Sequence, residues 1–354
     1  MQAITGQIVT IQSYFILKLI FLTNSYQICP CFRGTEERNS LVEQLTSPMP
    51  SKFPSNSPPR SQLISAFAAL YIIWGSTYLA IKIAIETMPP FFMASSRFLI
   101  AGALLYVFAR SRGASRPSTI QWKHAAIVGT FLIAGGNGIV TYAERWIDSN
   151  IAALIIASSP LFMTLLGWLG GVQKKPGWIG IGSLLLGLGG VAFLVEIPDA
   201  SSGQGQLGGY GLILLAVISW TVGCIYAKRN PTKIDSWLNS SMQMICGSVI
   251  CLIAGICLGE FDTVSISEVS TRSWIAFVYL IIFGSIIGYT SYVFLLKHCA
   301  PTTVSSHAYV NPVVAVALGW LILDERLTQS GWIGSGLILI SVFALLQRKQ
   351  SLEK

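Results

Sequence analysis

Only 11% of this 354-residue chain is charged while 53% is hydrophobic, and its mean hydropathy is +0.63. Soluble domains carry roughly a quarter charged residues, so water is excluded as the main solvent. A net charge of +8 would suit nucleic acid, but the basic residues are spread over alternate loops and act as orienting charges for a membrane protein instead.

In chain order, residues 1–61 stand apart. The apolar "IVTIQSYFILKLIFL" holds Lys18 and lacks a basic leader, so it makes a poor signal peptide, and the acidic "TEERNSLVE" argues against a transit peptide. "SPMPSKFPSNSPPR" has the Ser/Pro composition of a disordered segment. Residues 1–61 are therefore expected to be a disordered or non-native extension, with the functional protein beginning near Met49. The alternative is an amphipathic or eleventh membrane segment.

From there the charges leave long gaps. Ser61–Ile81, His124–Ala143, Ser149–Gln173, Pro176–Val195, Ala200–Ala227, Ser236–Gly259, Ser273–Leu296, His298–Leu323 and Leu327–Gln347 hold no Asp, Glu, Lys or Arg; Met88–Ala109 is interrupted only by Arg97. Each gap is at least about 20 residues, what a helix needs to cross roughly 30 Å of hydrocarbon. The spacing predicts an all-α membrane protein of ten transmembrane helices. Placing the start of the first helix inside puts 15 basic residues on that side against 4 on the other. The positive-inside rule then sets both ends of the ten-helix body in the cytoplasm, and the expected site is the plasma (inner) membrane.

The chain also repeats itself. "GWIGIG" at Gly177–Gly182 returns as "GWIGSG" at Gly331–Gly336, 154 residues later. Pro160 and Pro312 are 152 apart, as are Gly167–Trp168 and Gly319–Trp320, and Trp74 precedes Lys82 by eight residues as Trp220 precedes Lys228. The expected organisation is a first five-helix repeat over 62–196, a Gly/Ser-rich linker at 197–208, a second repeat over 209–347 and a cytoplasmic tail at 348–354. Because five is odd, the second repeat enters from the opposite face. Inverted repeats are a construction of secondary transporters, which hold substrate near the midplane.

Three segments carry a resemblance. "WGSTYLAIKIAIETMPPFFMASSRFLIAGALL" resembles the first two helices of EamA-type transporters of the drug/metabolite transporter superfamily; "YAERWIDSNIAALIIASSPLFMTLLGWL" and "VNPVVAVALGWLILDERL" resemble that family's fourth and ninth with their flanks. The resemblance implies a ten-helix inverted-repeat fold with a central cavity lined mainly by helices 1, 3, 4, 6, 8 and 9. It further implies export or exchange of small metabolites or drugs without ATP.

Polar groups within apolar spans are costly and so mark function by default. Arg97 is the foremost, with Glu144 or Asp148 as the available ionic partner and snorkelling to the surface as the alternative. Asn137 lies in "AGGNGIV", where lining a cavity and bonding a neighbouring helix are equally open. His307 and Asn311 share one helical face; His307 is a candidate proton carrier or simply a hydrogen-bonded side chain. Trp74, Tyr78, Tyr142, Trp220 and Tyr292 are embedded aromatics, read as pathway walls or as packing, and would favour amphipathic or cationic-aromatic cargo. Gly167 and Gly171 form a GxxxG read as helix packing. Seven cysteines without a CxxC suggest neither disulfides nor zinc, and no catalytic or phosphate-loop motif is present, so no enzyme, metal or cofactor is expected. The expected partners are a small-molecule substrate and the lipid bilayer, not nucleic acid; proton or solute counter-flow and a homodimer are left open. The competing class is a membrane-embedded receptor or interaction protein.

Overall fold

The computed structural model describes residues 58–171, 175–194, 203–232, 234–299, 304 and 306–352. The expectations for the segment before Pro58 lie outside the described residues. Within them the chain is helical throughout, with no strand. Seven helices are long and apolar enough to cross a membrane: α1 (Arg60–Ala84), α2 (Pro90–Ser111), α3 (Thr119–Ala143), α4 (Ser149–Leu169), α6 (Gly205–Arg229), α7 (Ser236–Cys257) and α8 (Thr271–Leu295). Three apolar helices are shorter: α5 (Trp178–Leu194), α9 (His307–Leu323) and, within a helix reaching Leu352, α10 (Gln329–Leu345). In a bilayer only a helix or a closed barrel satisfies every backbone group, so this composition yields helices alone.

Local chemistry sets the helix ends. Pro90 at the first turn of α2 gives up an N–H that had no partner there anyway. Ser118 and Gln121 form a reciprocal capping box at the start of α3. The Asp235 carboxylate accepts from the Trp237 and Leu238 amides to begin α7. Asp324 closes α9 in the left-handed region, at φ 54°. Gly171 lies just past the C-terminal end of α4 at φ 68°, with nothing near the position of a Cβ. It is a helix terminator, so the Gly167–Gly171 pair is not the packing motif its spacing suggests. Helix α6 reaches upstream to Gly203, into the Gly/Ser-rich join.

Each helix has a main packing partner. α2 lies against α7 and α5 against α10, while α1 contacts α8 and α9 and α6 contacts α3 and α4. The α5–α10 crossing depends on bare backbone: a Cβ on Gly190 would meet the Gly334 carbonyl at 2.8 Å, and one on Gly334 would meet that of Gly190 at 2.7 Å. Gly182 and Gly336, within the repeated entry motifs, face open space instead. Outward, α5 and α10 expose Trp178, Leu185, Trp332 and Phe343, an apolar face suited to lipid.

Three helices depart from α geometry. α1, α3 and α8 contain π-helical stretches at Ala69–Ile73, Thr130–Gly138 and Leu280–Tyr289. Such widened turns concentrate at functional sites. α4 breaks at Ala157–Ser158, just ahead of Pro160, whose ring and missing N–H interrupt the helical ladder.

Candidate functional site

The π stretches of α3 and α8 and the break in α4 converge on one cavity of about 150 Å³. Its lining comes from α1 (Trp74, Thr77, Tyr78), α2 (Arg97, Phe98), α3 (Gly136, Asn137), α4 (Ile156, Pro160, Met163), α6 (Ala216, Trp220), α8 (Gly284, Tyr289, Tyr292) and α9 (His307, Asn311). The family resemblance anticipates all of these helices except α2, which enters through Arg97 and Phe98.

Aromatic rings make the apolar wall. Trp74 meets Trp220 edge to face at 6.0 Å between centroids, Tyr292 at 5.0 Å and His307 at 5.5 Å. These tilted and edge-on arrangements suit the ring quadrupoles and fix the side chains as a rigid group. Tyr292 in turn lies 6.1 Å from Trp220 and 6.1 Å from His307.

The polar groups are few. Asn137 donates to the Leu132 carbonyl at 3.2 Å, the i−5 acceptor that the π turn presents. The Asn311 amide nitrogen, oriented as its neighbours require, donates to the carbonyls of Tyr71 at 3.1 Å and His307 at 3.2 Å. Tyr289 Oη donates to Gln243 Oε1, joining α8 to α7. Arg97 is 2% exposed; its Nε donates to Ser285 Oγ at 2.8 Å, and its Nη1 has no hydrogen-bond partner. The ionic partner expected for Arg97 is not in reach. Among the described residues the ion pairs are Arg272–Glu86 and Arg326–Asp324, both at exposed or half-exposed positions. Glu144 is wholly buried, yet neither carboxylate oxygen has a hydrogen-bond partner.

Eight of the nine residues singled out from sequence thus meet at one cavity; Tyr142 does not. It stacks on Phe91 at 5.2 Å, under the Arg145 guanidinium. Missed from sequence were Phe98, Tyr289 and, behind the wall, Gln243. The register that equates Trp74 with Trp220, an offset of 146, also equates Arg97 with Gln243, and carrying it into the second helices would have found the latter.

At the end of the bundle where α1 finishes, side chains bridge the two copies of the sequence repeat. Glu325 accepts from Ser149 N at 2.9 Å, Ser149 Oγ at 2.8 Å and Asn150 N at 3.1 Å, capping α4. Glu260 accepts from Phe92 N at 3.0 Å, capping α2 where Pro89 has no side chain to do so. Burial lifts the Glu260 carboxyl above the usual carboxylate range, against the Phe92 and Phe91 amides and Arg145. Lys82 Nζ donates to the carbonyls of Glu144 and Ile147, each at 2.7 Å, tying α1 to the α3–α4 connection.

The model of the EamA-like transporter family matches the chain twice, over residues 62–196 and 207–347. The chain belongs to the EamA-like transporter family. Among its relatives, the inner membrane transporter YedA of Escherichia coli (strain K12) is 39% identical over 282 residues, covering 79% of this chain and 89% of YedA. A transporter of Synechocystis is 28% identical, covering 80% and 89% respectively. A solved crystal structure of 19% sequence identity superposes with a TM-score of 0.59 over 84% of this chain and all of that one, which shows a shared fold. This EamA-family member is a multi-pass membrane protein of the transporter class.

Proposed function

We propose that the protein is a secondary transporter, exporting or exchanging small metabolites or drugs by alternating access. It spans the membrane ten times as two inverted five-helix repeats, with both ends of the ten-helix body in the cytoplasm of a plasma (inner) membrane. One observation carries the reading: matched residues of the two family segments wall the same cavity, Trp74 with Trp220 and Pro160 with Pro312. The π stretches of α3 and α8 occupy corresponding positions as well. A site shared by two repeats is where alternating access requires it, since rocking one repeat on the other exposes the same residues to either side.

On the charge count, the end bearing Lys82, Glu260 and Glu325 faces outward. Its links all run between the repeats or between neighbouring helices, so they would have to be exchanged for the cavity to open there. YedA is named an inner membrane transporter, and the same membrane is proposed here. The test is a comparison of metabolites outside cells expressing the chain, cells with an empty vector, and cells expressing a Trp74→Ala, Trp220→Ala form of equal membrane abundance. The reading predicts solutes enriched outside only for the unaltered chain; identical profiles in all three would overturn it.

A further inference from the structure

The cavity has aromatic walls and one cation, and its two repeats differ in charge at the matching point. Arg97 and Gln243 hold equivalent places on α2 and α7. Each is bonded to α8, Arg97 Nε to Ser285 Oγ and Gln243 Oε1 to Tyr289 Oη, at residues one turn apart. The amide makes a neutral join. Arg97 lines the cavity, and its guanidinium leaves Nη1 buried and unpartnered, with no carboxylate within salt-bridge distance.

We propose that the cavity takes a small organic anion, a carboxylate on an aromatic-sized apolar body, with Arg97 as the anchor for the carboxylate. This rests on the transporter reading above and names its substrate class. A buried guanidinium with no carboxylate within salt-bridge distance is costly, and its forked N–H groups match a carboxylate better than any neutral acceptor. Two glycines on α8 set the spacing. Cβ atoms added at Gly284 and Gly288 would meet Arg97 Nη2 at 2.8 Å and Trp74 Nε1 at 2.6 Å, so the cation and the ring cluster sit about one helical turn apart. That spacing fits a carboxylate one or two carbons from a ring. An apolar cavity of about 150 Å³ is also known to accept a benzene-sized ring. The carboxylate on the protein best placed to compete is Glu144, which stays beyond salt-bridge range of Arg97. A cationic-aromatic cargo, which the aromatic walls alone would suit, is repelled by Arg97.

The test uses the full chain in vesicles of zwitterionic lipid, so that no anionic headgroup competes. Binding is read from the intrinsic fluorescence of the cavity tryptophans, with three probes of similar body: phenylacetate, phenylacetamide and phenethylamine. Phenylacetate should give a saturable change, phenylacetamide should bind at least about tenfold more weakly, and phenethylamine should give none. Arg97→Gln should bring acid and amide to equal affinity, while Arg97→Lys should keep a reduced preference for the acid. Equal binding of the amide or amine by the unaltered chain overturns the proposal, and so does a retained acid preference in Arg97→Gln. Should Arg97→Gln fail to fold, the head-group series and Arg97→Lys still decide. Phenylacetate bound but never moved across the vesicle wall would uphold the anion site and overturn transport. Other solutes moved while phenylacetate leaves the fluorescence unchanged would do the reverse.

Discussion

Glu325 shows how one side chain can tie distant parts of this chain together. Its carboxylate satisfies two amides and a hydroxyl at the start of α4, and it reaches them only because residue 319 is glycine. A Cβ at that position would lie 2.4 Å from Glu325 Oε2. Removing the cap should therefore cost about 0.5–2 kcal/mol, the range for a lost helix cap. Both Glu325→Ala and Gly319→Ala should lower the unfolding temperature of the detergent-solubilised protein, and the double substitution should cost little more than either. Additive losses would show that Gly319 has a separate role. At this scale the sequence was only partly legible. Arg97 is visible as the one charge in an apolar run, but Ser285 as its partner is not, because a serine in a span leaves no charge pattern to read. Gln243 escaped for the same reason. Tyr142 is open in sequence between pathway wall and packing because an embedded aromatic looks alike whether it faces a cavity or, as here, Phe91.

Among elements, α5 and α10 depend most on the absence of side chains. Their backbones touch reciprocally at Gly190 and Gly334, where lost contacts cannot be recovered by a rotamer change. Gly190→Val should strongly reduce the amount of folded protein recovered from membranes, whereas Gly182→Val, facing open space, should leave it near normal. Equal yields would show that the crossing is loose. The repeated "GWIGxG" motif opens both helices, yet the contact falls eight residues beyond its last glycine in α5 and on its middle glycine in α10. A pattern of small residues says that a helix can be approached closely. It does not say at which turn, because that depends on the partner's path. Likewise, charge-free runs located the helices, but the π stretches and the break in α4 arise from packing and from Pro160, and only the proline shows in the sequence.

For the whole molecule, internal repetition was the most informative signal, since the family model matches the chain twice, over residues 62–196 and 207–347. Trp74 and Trp220 come from separate copies of the family segment, yet their rings meet at the cavity wall. If this is where cargo rests, losing both rings removes contacts worth on the order of 1–3 kcal/mol, or about a tenfold or greater loss of flux. The most direct measurement loads vesicles containing the purified protein with a labelled extract of cell metabolites and follows by mass spectrometry which solutes leave. The unaltered protein is expected to release a defined subset of solutes that protein-free vesicles retain, and the Trp74→Ala, Trp220→Ala form to release that subset at least about tenfold more slowly at equal protein content. A release profile indistinguishable from that of protein-free vesicles, or one unchanged by the double substitution, would contradict the claim that solute crosses the membrane through this cavity.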